Sequence, residues 1–290
     1  MDRNKILVGA TDMHLHCAPD TIPRKMDALE LAQRAKNAGM KAILLKSHAY
    51  PTAPLAMTVE KAVPGIRVFG GLALNDSVGG INPEAVKTAI ALDAKSIWMP
   101  TISARNHVQH VRTTSAAAHM GKLGGASGEG IYILDASGQL IPEVLRVIAL
   151  VKEADIILAT GHLSLEEIKA LAKEVKNAGL RKFVVTHPEL DTTRISDEEQ
   201  KELLRYGASF ERCYFATTDL GQGLDPSVIA QSIKEVGPES TIISTDLGQV
   251  GNPDPLEGFR DYAQKLLDCG ISEEALHLLI RENPSRLLGI

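Results

Sequence analysis

Residues 6–16 read Ile6-Leu7-Val8-Gly9-Ala10-Thr11-Asp12-Met13-His14-Leu15-His16. A short apolar run with β-branched members reads as a first strand over residues 6–13, and it ends on two histidines one residue apart. Successive strand residues face opposite sides, so His14 and His16 point the same way while Leu15 points away from them. Their Cα atoms are then about 6–7 Å apart, close enough for both imidazoles to clamp one ion.

Outward from this stretch, strands alternate with helical segments. Helix-like residues 27–37 are closed by Gly39; residues 41–46 and 67–74 read as the second and third strands, and a helix starts near Pro83 and runs towards Asp93. Further strands are expected over 96–99, 155–160, 182–186, 208–216 and 241–245. The helix over 165–177 stops at Gly179, and Ser196 with Glu199 three residues on forms a capping box for another. This alternation predicts βαβ units and a closed parallel eight-stranded (β/α)8 TIM barrel, one domain over residues 1–290. A doubly wound open sheet is weakened by the lack of G-x-G-x-x-G after the first strand. Residues 101–155 break the rhythm with Gly121, Gly124, Gly125, Gly128 and Gly130. Beyond them, Ile131-Tyr132-Ile133-Leu134 and Gln139-Leu140-Ile141 flank Asp135-Ala136-Ser137-Gly138, which reads as a β-hairpin inserted after strand 4. At that face of a barrel it would form a lid or pocket wall.

The chain has 290 residues, 44% hydrophobic and 23% charged, the balance of a globular enzyme able to bury a large core. A net charge of -5 without a dense basic block argues against a nucleic-acid partner. No apolar stretch nears the ~20 residues that span a bilayer, so no membrane partner is expected. Three cysteines, Cys17, Cys213 and Cys269, do not make a disulfide framework. The expected setting is cytoplasmic, the expected partner a small-molecule substrate, and a homo-oligomer is left open.

The histidines fall where barrel enzymes place their chemistry. His14 and His16 end the first strand, His162 follows the fifth, His187 the sixth, and Asp246 the eighth. Five metal-competent side chains at equivalent ends of four strands point to one centre. Neutral imidazole suits Zn, Mn, Fe or Ni, and a catalytic ion with an open position lowers the pKa of its water towards ~7.

Taken together, Asp12-Met13-His14-Leu15-His16, Gly161-His162, His187, Thr245-Asp246 and the ending Asn283-Pro284-Ser285-Arg286-Leu287-Leu288-Gly289 resemble the amidohydrolase superfamily. The matches run from residue 12 to residue 289. The resemblance implies a TIM-barrel hydrolase with a divalent metal held by His14, His16 and one or both of His162 and His187. It also implies that Asp246 binds the metal, or moves a proton from its water to the leaving group. Zinc is the expected ion, as one or two ions.

The fourth strand departs from the pattern: Ser96-Ile97-Trp98-Met99-Pro100-Thr101 ends without the lysine or glutamate that bridges two metals in binuclear members. Strand two offers Lys46-Ser47-His48 instead, and alternation puts Lys46 and His48 in the barrel mouth beside His14 and His16. Lys46 is a candidate carboxylated bridge, a cation for a substrate carboxylate, or a counter-charge for Asp246; pairing with a buried carboxylate is the plainer alternative. His48 is a candidate further ligand, somewhat as in the polymerase-and-histidinol-phosphatase barrels. Asp246, Lys46 and His187 are thus the candidates for catalytic work. Asn75, Thr101, Asn106 and His107, with Gln249 and Asn252, are candidate pocket residues or loop stabilisers. One of Glu211 and Arg212 should point inward, an internal ion pair being the plain account. His110, His119 and His277 read as ordinary, and Cys17 as a packed thiol.

The function expected is hydrolysis of a C–N or C–O bond (amide, cyclic amide, lactone or ester) by metal-bound hydroxide, with Asp246 as proton shuttle. A metal-dependent decarboxylase or hydratase of the same superfamily is the alternative. A phosphoesterase would want more acidic ligands. A non-catalytic metal-binding barrel is the alternative from another class.

Overall fold

The computed structural model describes residues 5–113 and 128–290. Eight parallel strands follow one another around a barrel in chain order. They are β1 (Thr11–Leu15), β2 (Ala42–Leu45), β3 (Arg67–Ala73), β4 (Ser96–Trp98), β5 (Ile157–Ala159), β6 (Phe183–Thr186), β7 (Ala208–Cys213) and β8 (Thr241–Ser244). The seam between β8 and β1 is closed just past the strand ends: the Asp246 amide donates to the His14 carbonyl and the His16 amide to that of Leu247, both at 2.8 Å. Helices α1 (Ala28–Asn37), α2 (Ala53–Ala62), α3 (Pro83–Ala91), α4 (Arg105–Thr113), α5 (Pro142–Glu153), α6 (Leu165–Ala178), α7 (Asp197–Leu204), α8 (Pro226–Val236) and α9 (Pro255–Asp268) surround it. The chain ends in α10 (Glu273–His277), a π-turn over Leu278–Glu282, and α11 (Asn283–Leu288). No helix among the described residues is long and apolar enough to cross a membrane.

Every strand is shorter than the sequence predicts, and β1 and β7 show why. Residues 6–9 form a turn rather than the start of β1, because Gly9 adopts φ +74° and the Val8 amide folds back on the Lys5 carbonyl. Ile6 and Leu7 are still fully buried, as plugs rather than strand residues. β7 stops at Cys213, and residues 214–217 tighten into a 3-10 turn. The capping boxes are regular: Ser164 with Glu167 opens α6, and Ser196 with Glu199 opens α7.

The expected hairpin is reduced to a turn. A single antiparallel bridge joins Leu134 and Leu140, and the Asp135 carboxylate caps the reversal by accepting from the Ser137 and Gln139 amides. With an aspartate taking the turn's amide donors, this segment makes no strand ladder. It is tied to the barrel instead, since buried Glu167 accepts from the Ile133 amide at 3.0 Å. The glycines 121, 124 and 125 and His119 lie outside the described residues.

The barrel interior is apolar at its lower end, where Phe69, Trp98 and Val184 meet Leu287 and Leu288 of α11. Each such buried leucine contributes about 1.5–3 kcal/mol of burial. The Asn283 amide fixes the closing helix by donating to the Pro238 and Thr241 carbonyls, both at 2.7 Å. With that end sealed, the polar residues of the strands collect at the C-terminal mouth, and Trp98 is the floor beneath them: its ring centroid lies 6.0 Å from that of His14 and 5.2 Å from the Lys46 ammonium.

Candidate metal centre

Local backbone geometry sets the site before any side chain is counted. β1 carries a bulge between Asp12 and Leu15, which turns both Met13 and His14 inward while Leu15 packs in the outer shell. His16 follows inward, so the two histidines share the mouth with their ring centroids 5.5 Å apart. Asp12 sutures the seam from behind, accepting from the Thr245 hydroxyl (2.7 Å) and from the His14 and Thr245 amides (both 3.1 Å). Immediately after β6, His187 has φ +53°, and Asp246, just beyond β8, has the same value. A non-glycine residue held there costs about 1–3 kcal/mol, and the reversal it makes swings these side chains over the barrel axis. Gly161 takes φ +58° after β5, where a Cβ would lie 2.4 Å from the Met99 carbonyl oxygen; the turn it permits delivers His162.

The Asp246 carboxylate is the focus. Its Oδ1 lies 3.1 Å from His14 Nε2 and 3.0 Å from His16 Nε2, and its Oδ2 lies 3.6 Å from His187 Nε2. The Lys46 ammonium lies 2.9 Å from His14 Nε2, fully inside the mouth. The far side of the His14 ring faces β7, its Nδ1 3.2 Å from Glu211 and 3.8 Å from the Cys213 thiol. Glu211 is anchored by the Ser244 hydroxyl at 3.0 Å. Of the pair on β7 it is Glu211 that points inward. Arg212 points outward and pairs with Glu189 and Gln200, so the two do not form the ion pair expected between them.

His162 and His48 complete the ring of imidazoles, with centroids 5.6 Å from His187 and 4.9 Å from His16 respectively. His48 is engaged through Nδ1 with the Thr101 hydroxyl (2.9 Å), and His162 through Nδ1 with His107 (2.8 Å). His107 therefore backs His162. Asn75 uses both ends of its amide on the neighbouring loops, accepting from the Thr101 amide (2.8 Å) and donating to Thr101 Oγ1 (2.7 Å). Asn106 donates to the His162 and Thr192 carbonyls, and Gln249 donates to the Asp246 carbonyl while accepting from Asn252, so these three brace loops. Cys17 is packed in the outer core, and His277 lies outside the site, paired with Glu282 on the surface.

Burial fixes the charge states. It pushes His16, His48 and His162 well below the ordinary imidazole range, with neighbouring cations adding to the effect, and His187 down to about 3. These rings are neutral and carry lone pairs. Burial also lowers Lys46, against the pull of Asp246 and Glu211. For Asp246 burial acts upward, and the surrounding His14, His16 and His187 overcome it to hold the carboxyl well below its usual range.

This donor set fits a divalent ion. His14, His16 and Asp246 offer ligand atoms that all lie within 4.8 Å of one another, and so do His14, His187 and Cys213. His14 has the arrangement of a metal-binding imidazole, with Nδ1–H directed at a carboxylate and Nε2 at the centre. His187 Nδ1 is buried without a partner among the described residues. The sequence pattern located His14, His16, Lys46, His162, His187 and Asp246 at this mouth; it gave no sign of Cys213 or of Arg24, which sits beside His16 and pairs with Asp20. Strand alternation alone placed Glu211, as one of two choices.

A family model matches residues 9–211, and the chain belongs to that family, described as Family of unknown function (DUF6282). No curated protein matches. Solved structures share the barrel. An amidohydrolase from Pseudomonas aeruginosa superposes with a TM-score of 0.62 at 13% identity, covering 99% of this chain and 98% of its own. A probable 2-pyrone-4,6-dicarboxylic acid hydrolase from Acinetobacter baumannii, with citric acid bound, gives 0.63 at 11% identity over 98% and 100% of the two chains. The probable dipeptidase PvdM from Pseudomonas aeruginosa gives 0.66 at 12% identity over 99% and 96%. At these identities the likeness establishes a shared barrel fold.

Proposed function

We propose that this chain is a divalent-metal-dependent hydrolase that cleaves a C–N or C–O bond of a small molecule, with zinc as its ion. The observation that carries the reading is the convergence of three imidazole Nε2 atoms, from His14, His16 and His187, on the single carboxylate of Asp246 at the strand ends. These four residues would hold the ion, with His162 beside them. A divalent ion in such a site polarises a substrate carbonyl and acidifies water. The chain's own groups supply the rest. Asp246 Oδ2, which has a looser partner than Oδ1, takes the proton of the attacking water and returns it to the leaving group. Glu211 holds the His14 ring through Nδ1, and Lys46 balances the charge of the two carboxylates. Neighbouring barrels described as a dicarboxylic acid hydrolase and a dipeptidase support a carbonyl substrate.

Elemental analysis of protein purified without added metal tests the ion, and a panel of lactones, esters, cyclic amides and dipeptides tests the chemistry. Stoichiometric metal with turnover of one panel class, abolished by chelation and restored by zinc, is the expected outcome. Full turnover by metal-free protein overturns the reading. Release of carbon dioxide without hydrolysis moves the reaction to the decarboxylase class.

A further inference from the structure

The loop from β1 to α1 brings a buried cation to the metal centre that the mechanism above leaves unused. The Arg24 and Asp20 side chains are each 2% exposed; Arg24 Nε donates to Asp20 Oδ2 at 2.8 Å, and Nη2 lies 3.2 Å from His16 Nδ1. Asp20 is itself held by the Thr21 amide (2.7 Å) and the Ser47 hydroxyl (3.4 Å). The backbone is pinned as well: the Lys25 amide donates to the Gly248 carbonyl at 2.8 Å, and Arg24 bridges to Gln249. Gly248 permits this close approach, since a Cβ there would lie 1.9 Å from the His16 carbonyl oxygen. The guanidinium is a fixed fork, with two of its five N–H groups assigned to Asp20 and His16.

Its contact with His16 is conditional. A guanidinium only donates, so Arg24 needs a lone pair on His16 Nδ1, and the ring's proton then sits on Nε2 facing Asp246. Were His16 to hold an ion through Nε2, its proton would have to sit on Nδ1, and Arg24 would lose that acceptor. A buried donor left without a partner is unfavourable, so the guanidinium edge of a loaded centre would be matched by an anion. Building on the hydrolase reading, we propose that Arg24 anchors a carboxylate of the substrate beside the metal. Lys46 is the weaker candidate for that task, because its ammonium is already set against His14 and balanced by Asp246 and Glu211. A carboxylate is favoured over a phosphate: its flat two-oxygen group matches one edge of a planar guanidinium, whereas a phosphate would need further donors for its remaining oxygens.

The test is calorimetric titration of malonate, its neutral analogue malonamide, and inorganic phosphate into the zinc-loaded full chain, with Arg24→Gln and Arg24→Lys beside the parent and zinc stoichiometry measured on each. The expected result is malonate binding that weakens on the order of tenfold or more in Arg24→Gln, recovers in part in Arg24→Lys, and has no counterpart with malonamide, while zinc is retained. Equal malonate affinity in Arg24→Gln overturns the proposal. So does loss of zinc together with malonate, which would make Arg24 a support of the metal site. Phosphate bound more tightly than malonate with the same dependence on Arg24 overturns the carboxylate assignment. A chain that takes up no zinc yet binds malonate through Arg24 keeps the anchor and removes the hydrolase reading; a chain that holds zinc and binds malonate without Arg24 does the reverse.

Discussion

The two sides of the barrel mouth spend their polar residues differently. On the β8–β1–β2 side, His14 and His16 share one oxygen of Asp246, and His14 Nε2 cannot donate to that oxygen and accept from the Lys46 ammonium at the same time. On the β3–β4 side, Asn75 accepts from the Thr101 and Ser103 amides and donates to the His48 carbonyl and the Thr101 hydroxyl, so its amide is fully used within the protein. A buried polar residue whose bonds all close internally is architecture; a cluster competing for too few acceptors is built for something else to enter. Both sides carry buried polar residues, and the bonding distinguishes them.

Substitutions on the crowded side should remove function and leave the fold. Asp246→Asn is expected to reduce kcat/KM on the order of 10²–10⁴-fold, as loss of a proton-transfer group does, with an unchanged circular dichroism spectrum. His16→Ala should abolish metal retention by elemental analysis. If both variants keep full activity and metal, the crowding has another cause.

One step back from the centre, Glu211→Gln keeps the shape and removes the charge that holds His14 Nδ1–H. Metal affinity, read by chelator competition, should fall about 10–100-fold. An unchanged affinity would place Glu211 among the structural residues.

The satisfied side should respond in the opposite sense. Asn75→Ala strands the Thr101 and Ser103 amides, and stability to denaturant is expected to fall by about 1–3 kcal/mol with metal stoichiometry intact. Loss of metal in this variant would erase the contrast between the two sides. The smallest effect belongs to His277→Ala, on the surface beside Glu282: metal content unchanged and stability within about 0.5 kcal/mol of the parent.

Much of this was legible in residue order. Alternating strand and helix signals gave the barrel, because short apolar runs with β-branched residues and helix caps are local properties. Seven of the strands begin within two residues of their expected positions, and the exception, β1, failed at Gly9, where a left-handed turn interrupts an apolar run that looks extended. The strand-end histidines and Asp246 were readable because a closed barrel brings every strand's C-terminal end to one face.

What the sequence alone determined is therefore which strand-end side chains reach the mouth, His14, His16, Lys46, His162, His187 and Asp246, since alternation and strand order depend only on neighbours along the chain. Tertiary structure decided who meets whom. The closing seam joins Asp12 to Thr245, 233 residues apart, and so places Asp246 against His14 and His16. The bulge in β1 turns His14 towards Glu211 and Cys213, and the packing of Gly248 on His16 lets an otherwise unremarkable loop lay Arg24 beside the centre. These contacts rest on small departures from regular geometry and on loops with no period, and such features exist only once the barrel has closed.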